Sequence, residues 1–239
     1  MMLRKVIFLS SLVVALLLPI RHLNGAGILV AKSSTVIFGT WSDACPCRPP
    51  CSCWQTGRAN VPRCLNVQVY QPDTAREEAE RPALVLIGDS IGYWAPSRYI
   101  LYIDDSAEPA MVRGMASFLQ SEYGINPQNS TRVRMKKSSS TRMRRLEIPG
   151  ILSYDITATD QVTVSDEVRH YLYSWLRHPM QWTTKSVTYK APSGQVEYKG
   201  TNSLVAGFEV AAGSADTSRS KHGPQLEACG RPSLRAVAK

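Results

Sequence analysis

The chain has 239 residues, of which 44% are hydrophobic and 20% charged, and a formal net charge of +9. That length lets one domain bury a core without depending on a disulfide framework, and the hydrophobic content is ordinary for a globular protein. The basic balance admits nucleic acid, anionic lipid or acidic polymers as partners, although Arg4, Lys5 and Arg21 supply three of the charges and +6 remains without them.

Those three residues belong to the clearest feature of the sequence. Arg4 and Lys5 precede an apolar run of 15 residues, 6–20 (VIFLSSLVVALLLPI), and the small residues Gly25, Ala26 and Gly27 follow. A short positive segment, an apolar stretch and a small-residue cleavage site make a signal peptide over residues 1–26. The expected location is therefore exported, either periplasmic or extracellular. An uncleaved anchor is the competing reading, since Asn24 occupies the −3 position if Ala26 is −1. The run is, however, shorter than the ~20 residues of a comfortable transmembrane helix. No cysteine directly follows the run, which argues against a lipoprotein, and no second apolar stretch spans a bilayer.

Residues 34–41 (STVIFGTW) read as a strand, and 42–64 as a loop rich in proline and cysteine. Residues 65–70 (LNVQVY) alternate as a half-buried strand does, and 83–87 (ALVLI) and 99–103 (YILYI) are two further strands. A helix follows. Asp105 or Ser106 caps it, Pro109 suits its first turn, Met111, Met115, Phe118 and Leu119 share one face, and Gly124 with Pro127 ends it. Residues 131–148 suggest a hairpin with Ser138, Ser139 and Ser140 at its tip. Residues 151–157 are read as a strand. A second helix is expected over 166–177, capped by Ser165 and closed by Pro179, with Val168, Tyr171, Leu172 and Trp175 on one side. Residues 186–191 and 195–210 complete a strand-rich second half. The polar tail 211–239 reads as disordered. The fold class expected is α+β: one domain over 34–210, mainly antiparallel sheet with two helices.

The chemistry concentrates in five cysteines within twenty residues: Cys45, Cys47, Cys51, Cys53 and Cys64. The order is CPCRPPCSC, then ten residues, then Cys64. Pro46, Pro49 and Pro50 forbid a continuous helix and stiffen the loop. Several thiolates converging on one point suit a soft ion, Cu(I) or Zn(II), because a cation relieves their mutual repulsion. Five cysteines allow a four-thiolate zinc site or a three-thiolate copper site, and the spacing is not that of a zinc-finger C-x₂-C pair. Two other readings stand beside this one. In an oxidising compartment the six cysteines, with Cys229, form up to three bridges that staple the loop as part of an inert binding module. A thiol–disulfide oxidoreductase or redox sensor needs a thiol of lowered pKa, which Arg48 and Arg58 favour.

The run C-x-C-x₃-C-x-C-x₁₀-C, the later YIDDSAEPAMVRGMASFL and the closing YKGTNSLVAGFEV together resemble a bacterial family known only as domain of unknown function number thirteen twenty-six. The resemblance covers roughly residues 35–210, and the cysteines match one for one. The proline of the motif stands in the first pair, at Pro46, and Trp54-Gln55 replaces the family's Asn-Phe. The resemblance implies no activity, so metal binding is an inference from the thiols.

Three further patterns compete for attention. Gly88-Asp89-Ser90-Ile91-Gly92 follows a strand and fits G-x-S-x-G, the turn of a serine hydrolase. Ser90 would need a histidine and an acid, yet Asp166 to His170 is one residue longer than the Asp-x-x-His of Gly-Asp-Ser hydrolases, and a hairpin turn explains the glycines better. His178-Pro179-Met180 offers nitrogen and thioether ligands, but reads more simply as a helix-ending turn with a surface histidine. The run from Arg132 to Arg145 carries seven positive charges and offers a surface to lipid headgroups or an anionic polymer. Export and the absence of stacking aromatics argue against nucleic acid. The sequence thus points to a metal-handling protein rather than an enzyme, with the cysteines as ligands.

Overall fold

The computed structural model describes residues 36–48, 61, 63–91, 98–163, 175–191 and 194–212, all within the second of the chain's two units, residues 34–239. The leader and nearly all of the tail lie outside the described residues.

The strands are β1 (Val36–Ala44), β2 (Arg63–Pro72), β3 (Leu84–Ile91), β4 (Arg98–Asp104), β5 (Thr131–Val133), β6 (Lys136–Ser140), β7 (Met143–Ile148), β8 (Leu152–Thr163), β9 (Leu176–Ala191), β10 (Gly194–Tyr198) and β11 (Thr201–Ala211). Between β4 and β5 runs the helix α1 (Pro109–Tyr123). All strands join one sheet in the order β5-β4-β3-β2-β1-β11-β9-β8-β7-β6, with β10 on β9. Every pairing is antiparallel except β4 with β5.

This corrects the expected class of α+β with two helices: the described residues are mostly strand and contain one α-helix. Of the second expected helix, residues 166–174 lie outside the described residues. Its last two residues open β9, where Leu176 pairs with Phe208 and Arg177 with Gly207. Leu176 is buried, and Arg177 forms an ion pair with Glu209 at 2.9 Å. Pairing with β11 overrides the helical period there. Pro179, expected to stop a helix, instead lies in a bulge, where the β9–β11 register shifts and His178 takes φ 48°. The hairpin tip is also displaced. Ser138 to Ser140 lie inside β6, and Thr141-Arg142 form the turn, with the Arg142 N–H donating to Ser140 Oγ.

α1 keeps its expected Pro109 start and Gly124 end, but its N-cap is Glu108, which makes no side-chain cap hydrogen bond, and not Asp105 or Ser106, which lie in the turn before it. Pro109 stands in its first turn, Met115, Phe118, Leu119 and Tyr123 are buried, and Gly124 closes it at φ 65°, a conformation open to glycine. The helix covers one face of the sheet, packing with Trp41, Tyr70, Leu84, Leu86 and Phe208. At Gly39 a Cβ would lie 2.5 Å from the Phe208 ring, so only glycine lets that ring sit against β1. Alternation then fixes the second face: in β3, Leu84 and Leu86 point to the helix, while Val85 and Ile87 join another core cluster with Leu65, Val67 and Val69.

That second cluster shows how the sheet curls. It also contains Leu146, Ile148, Leu152 and Tyr154 of β7 and β8, which are far from β2 and β3 in the strand order. Chain connectivity demands the same closure. β5 and β6 lie at opposite ends of the ten-strand path, yet only Arg134 and Met135 separate them. Three residue steps reach at most about 11 Å. The ends are tied by side chains: Lys137 of β6 with Asp104 of β4, and Arg144 of β7 with Glu78, in the turn before β3. Among the described residues no helix is long and apolar enough to cross a membrane.

Candidate functional site

The three described cysteines, Cys45, Cys47 and Cys64, lie at one end of the sheet. β1 ends at Ala44, and the chain continues along β11 in altered register: the Cys45 N–H donates to the Asn202 carbonyl (3.0 Å) and the Asn202 N–H to the Cys47 carbonyl (2.9 Å). Cys45-Pro46-Cys47 thus opposes a single residue of β11. Pro46 has no N–H to lose in such a bulge. Cys64 lies on the neighbouring β2, paired with Ser90 of β3. All three thiol-bearing residues are buried, at 5%, 0% and 7% exposure for Cys45, Cys47 and Cys64. Cys51, Cys53 and Cys229 lie outside the described residues. Among the described residues no group of three or more His, Cys, Asp or Glu side chains is placed to hold a metal ion.

At the same end of the sheet lie buried and half-buried polar groups that the sequence reading missed. Asp43 accepts from the Leu204 N–H (2.7 Å) and from Asn66 Nδ2 (3.3 Å). Asn202 Oδ1 accepts from Gln181 Nε2 at 2.7 Å, and Thr184 Oγ1 donates to the Asn202 carbonyl at 3.1 Å. Asn66 Oδ1 and Asn202 Nδ2 are buried with no partner among the described residues. Tyr198 of β10 reaches over from the other side and donates its hydroxyl to the Ala44 carbonyl at 2.9 Å. Burial pushes the Tyr198 phenol well above the ordinary tyrosine range, and Cys45, Tyr154, Cys64 and Asp43 push it further. Each neighbour that acts on Tyr198 is therefore a group that becomes negative on losing its proton. Tyr154, which donates to Ser42 Oγ at 2.9 Å, is raised in the same direction, chiefly by burial.

Tyr198 and Asn202 carried one legible signal: both belong to the stretch YKGTNSLVAGFEV of the family resemblance. The structure brings that stretch against the first cysteine pair through the β1–β11 ladder.

The competing patterns are placed differently. Gly88 to Ile91 lie inside β3, not at a strand-to-helix turn, so the backbone of Ser90 lacks the elbow that a serine nucleophile needs. His178 is exposed in the β9 bulge, and Met180 is exposed as well. Most charges of the run from Arg132 to Arg145 have internal partners. Lys136 pairs with Glu147, Lys137 with Asp104, Arg144 with Glu78 and Arg145 with Asp155, while Arg132 donates to the Ala107 carbonyl.

No family model matches the chain, and no curated protein matches it. Among solved structures, the chain is similar to an acetoacetate decarboxylase-like enzyme from Sphingomonas wittichii RW1, with 9% identity and a TM-score of 0.30 over 74% of this chain and 90% of that one, a likeness too slight to bear on activity.

Proposed function

We propose that this is an exported protein, periplasmic or extracellular, that binds or handles a soft metal ion, Cu or Zn, through Cys45, Cys47, Cys51, Cys53 and Cys64 in their reduced form. One observation carries the reading: three of the five cysteines, Cys45, Cys47 and Cys64, are buried at one end of the sheet. Thiolates gathered at one point repel one another, and a bound cation removes that repulsion. Burial of Cys45, Cys47 and Cys64 favours this reading over thiol–disulfide exchange at those three residues. An exchanging cysteine must meet a partner's sulfur, and reactive cysteines are at least partly exposed, whereas these three are 0–7% exposed. The ion would supply charge neutralisation and fixed thiolate geometry; Tyr198 and Asn202 hold the backbone at the end of β1, where Cys45 and Cys47 follow.

Native mass spectrometry of the mature protein, purified anaerobically with and without alkylation, tests the proposal. A mass raised by one metal ion, with cysteines alkylated only after chelation, supports the site and identifies the ion. A metal-free mass lowered by two hydrogens per bridge, and reduced protein that takes up neither Cu(I) nor Zn(II), would overturn it in favour of a stapled loop.

A further inference from the structure

Asn202 clamps the first cysteine pair with its main chain, and its side chain has one group to spare. The residue is fully buried, yet its Nδ2 has no hydrogen-bond partner among the described residues. The direction of that amide is fixed from its other side. Gln181 Nε2 lies 2.8 and 2.9 Å from the Trp182 and Ser203 carbonyls, so the amino end of Gln181 faces Asn202, and the atom it meets at 2.7 Å is the acceptor Oδ1. Asn202 Nδ2 therefore points away from Gln181. Gln181 belongs to β9, and β11 lies between β9 and β1. Turned from β9, the amino group of Asn202 faces β1 and the residues that follow it.

The residue that stands there is Cys45. The β1–β11 register ends with Ala44 opposite Ser203, and its next step sets Cys45 opposite Asn202, where the Cys45 N–H donates to the Asn202 carbonyl at 3.0 Å. Opposed residues of an antiparallel pair leave the same face of the sheet, with Cβ atoms about 5 Å apart. A sulfur one bond from its Cβ and an amide nitrogen two bonds from its own are then within reach of each other. Asn66 Oδ1, an unpartnered acceptor at the same end, is on β2, two strand spacings or about 9.6 Å from β11, so the two asparagines do not satisfy each other.

We propose that Asn202 is a positioning residue of the metal centre, its Nδ2 donating a hydrogen bond to the Cys45 thiolate when an ion is bound. The inference rests on the metal reading above and assigns the orphaned amide a task within it. A neutral thiol is a weak acceptor and leaves a buried donor unused, whereas a metal-bound thiolate keeps negative charge and accepts a charge-assisted bond. Such a bond also orients the ligand sulfur, and partners of this kind contribute about 10–100-fold to metal affinity.

The test compares the parent with Asn202→Ala and Asn202→Asp, each shown to be folded by its far-ultraviolet spectrum, then loaded with Cu(I) or Zn(II) and titrated with a competing chelator at neutral pH. Asn202→Asp keeps the volume, the main-chain clamp and the acceptor for Gln181, and replaces only the donor, so it tests the idea even where alanine prevents folding. Both variants should bind the ion about 10–100-fold more weakly. The ultraviolet thiolate-to-metal band should move to longer wavelength, because the sulfur electrons lose a stabilising donor. Folded variants that match the parent in affinity overturn the inference and leave the metal reading standing. A loss of affinity with no movement of the band makes Asn202 a merely structural residue and overturns it as well. A parent that takes up neither ion removes the metal reading, and this inference with it.

Discussion

Replacing Lys137 by Met tests whether the sheet is closed by a buried ion pair. Lys137 and Asp104 have side chains only 9% and 5% exposed, and they join β6 to β4 across a gap that no ladder of hydrogen bonds spans among the described residues. Removing one partner of a buried pair costs about 3–5 kcal/mol, because the remaining charge stays desolvated. Asp104 keeps two donors, the Ser106 N–H and hydroxyl at 3.0 and 2.9 Å, which places the expected cost near the lower bound, about 3 kcal/mol. For a folded unit of this size that lowers Tm by about 6–12 °C. The double variant Asp104→Asn/Lys137→Met has no buried charge and should recover most of the loss, to within about 1–2 kcal/mol of the parent. Urea unfolding of the parent, both single variants and the double variant supplies the cycle. A Lys137→Met cost below about 1 kcal/mol would place the pair in solvent and refute closure by a buried charge.

Two other outcomes follow from buried polar groups. Gln68 Oε1 accepts from Trp41 Nε1 (3.2 Å), the Tyr70 hydroxyl (2.9 Å) and the Tyr123 hydroxyl (2.8 Å), which ties α1 to β1 and β2; Gln68→Leu should cost about 2–3 kcal/mol in urea unfolding, with loss of near-ultraviolet aromatic signal. The Tyr154 and Tyr198 phenols are both raised by burial, so the folded state holds their protons where the unfolded chain has released them. Stability is then insensitive to these groups below about pH 10 and falls above it, by up to about 1.4 kcal/mol per pH unit for each; Tyr198→Phe should flatten that alkaline limb.

The legible parts of the fold were those decided locally. Leu65 and Val67 alternate with Asn66 and Gln68, so β2 could be read from six residues, and Pro109 with Gly124 marked both ends of α1. What escaped was decided by distant partners. Leu176 is in a strand because Phe208 lies beside it, thirty-two residues later, and Pro179 marks a bulge because β11 shifts register there. Lys137 looked like one more exposed charge in a basic run; its burial follows from sheet closure, which depends on a strand order that no local pattern encodes. The site divides in the same way. Cysteine spacing announced the thiols, whereas Tyr198 and Asn202 join them only through pairing of strands far apart in sequence.

That division bears on how metal and fold are coupled. The sequence reading gave the loop prolines the role of stiffening, and Pro49 and Pro50 lie outside the described residues; in the structure, neighbouring strands hold Cys45, Cys47 and Cys64. Asn202 brackets the first pair with two backbone hydrogen bonds, and Cys64 sits in the β2–β3 ladder. The strands rest in turn on two large apolar clusters, one beneath α1 and one inside the curled sheet, neither of which needs an ion. In a zinc finger the ion supplies the folding free energy and the apo chain unfolds. Here, removing the ion from the proposed centre with a chelator should leave the far-ultraviolet β signal intact and lower the unfolding free energy only by the linkage term, about 4 kcal/mol at a thousandfold excess over Kd. Loss of the β signal on chelation would mean that the ion, not the apolar clusters, organises this end of the sheet.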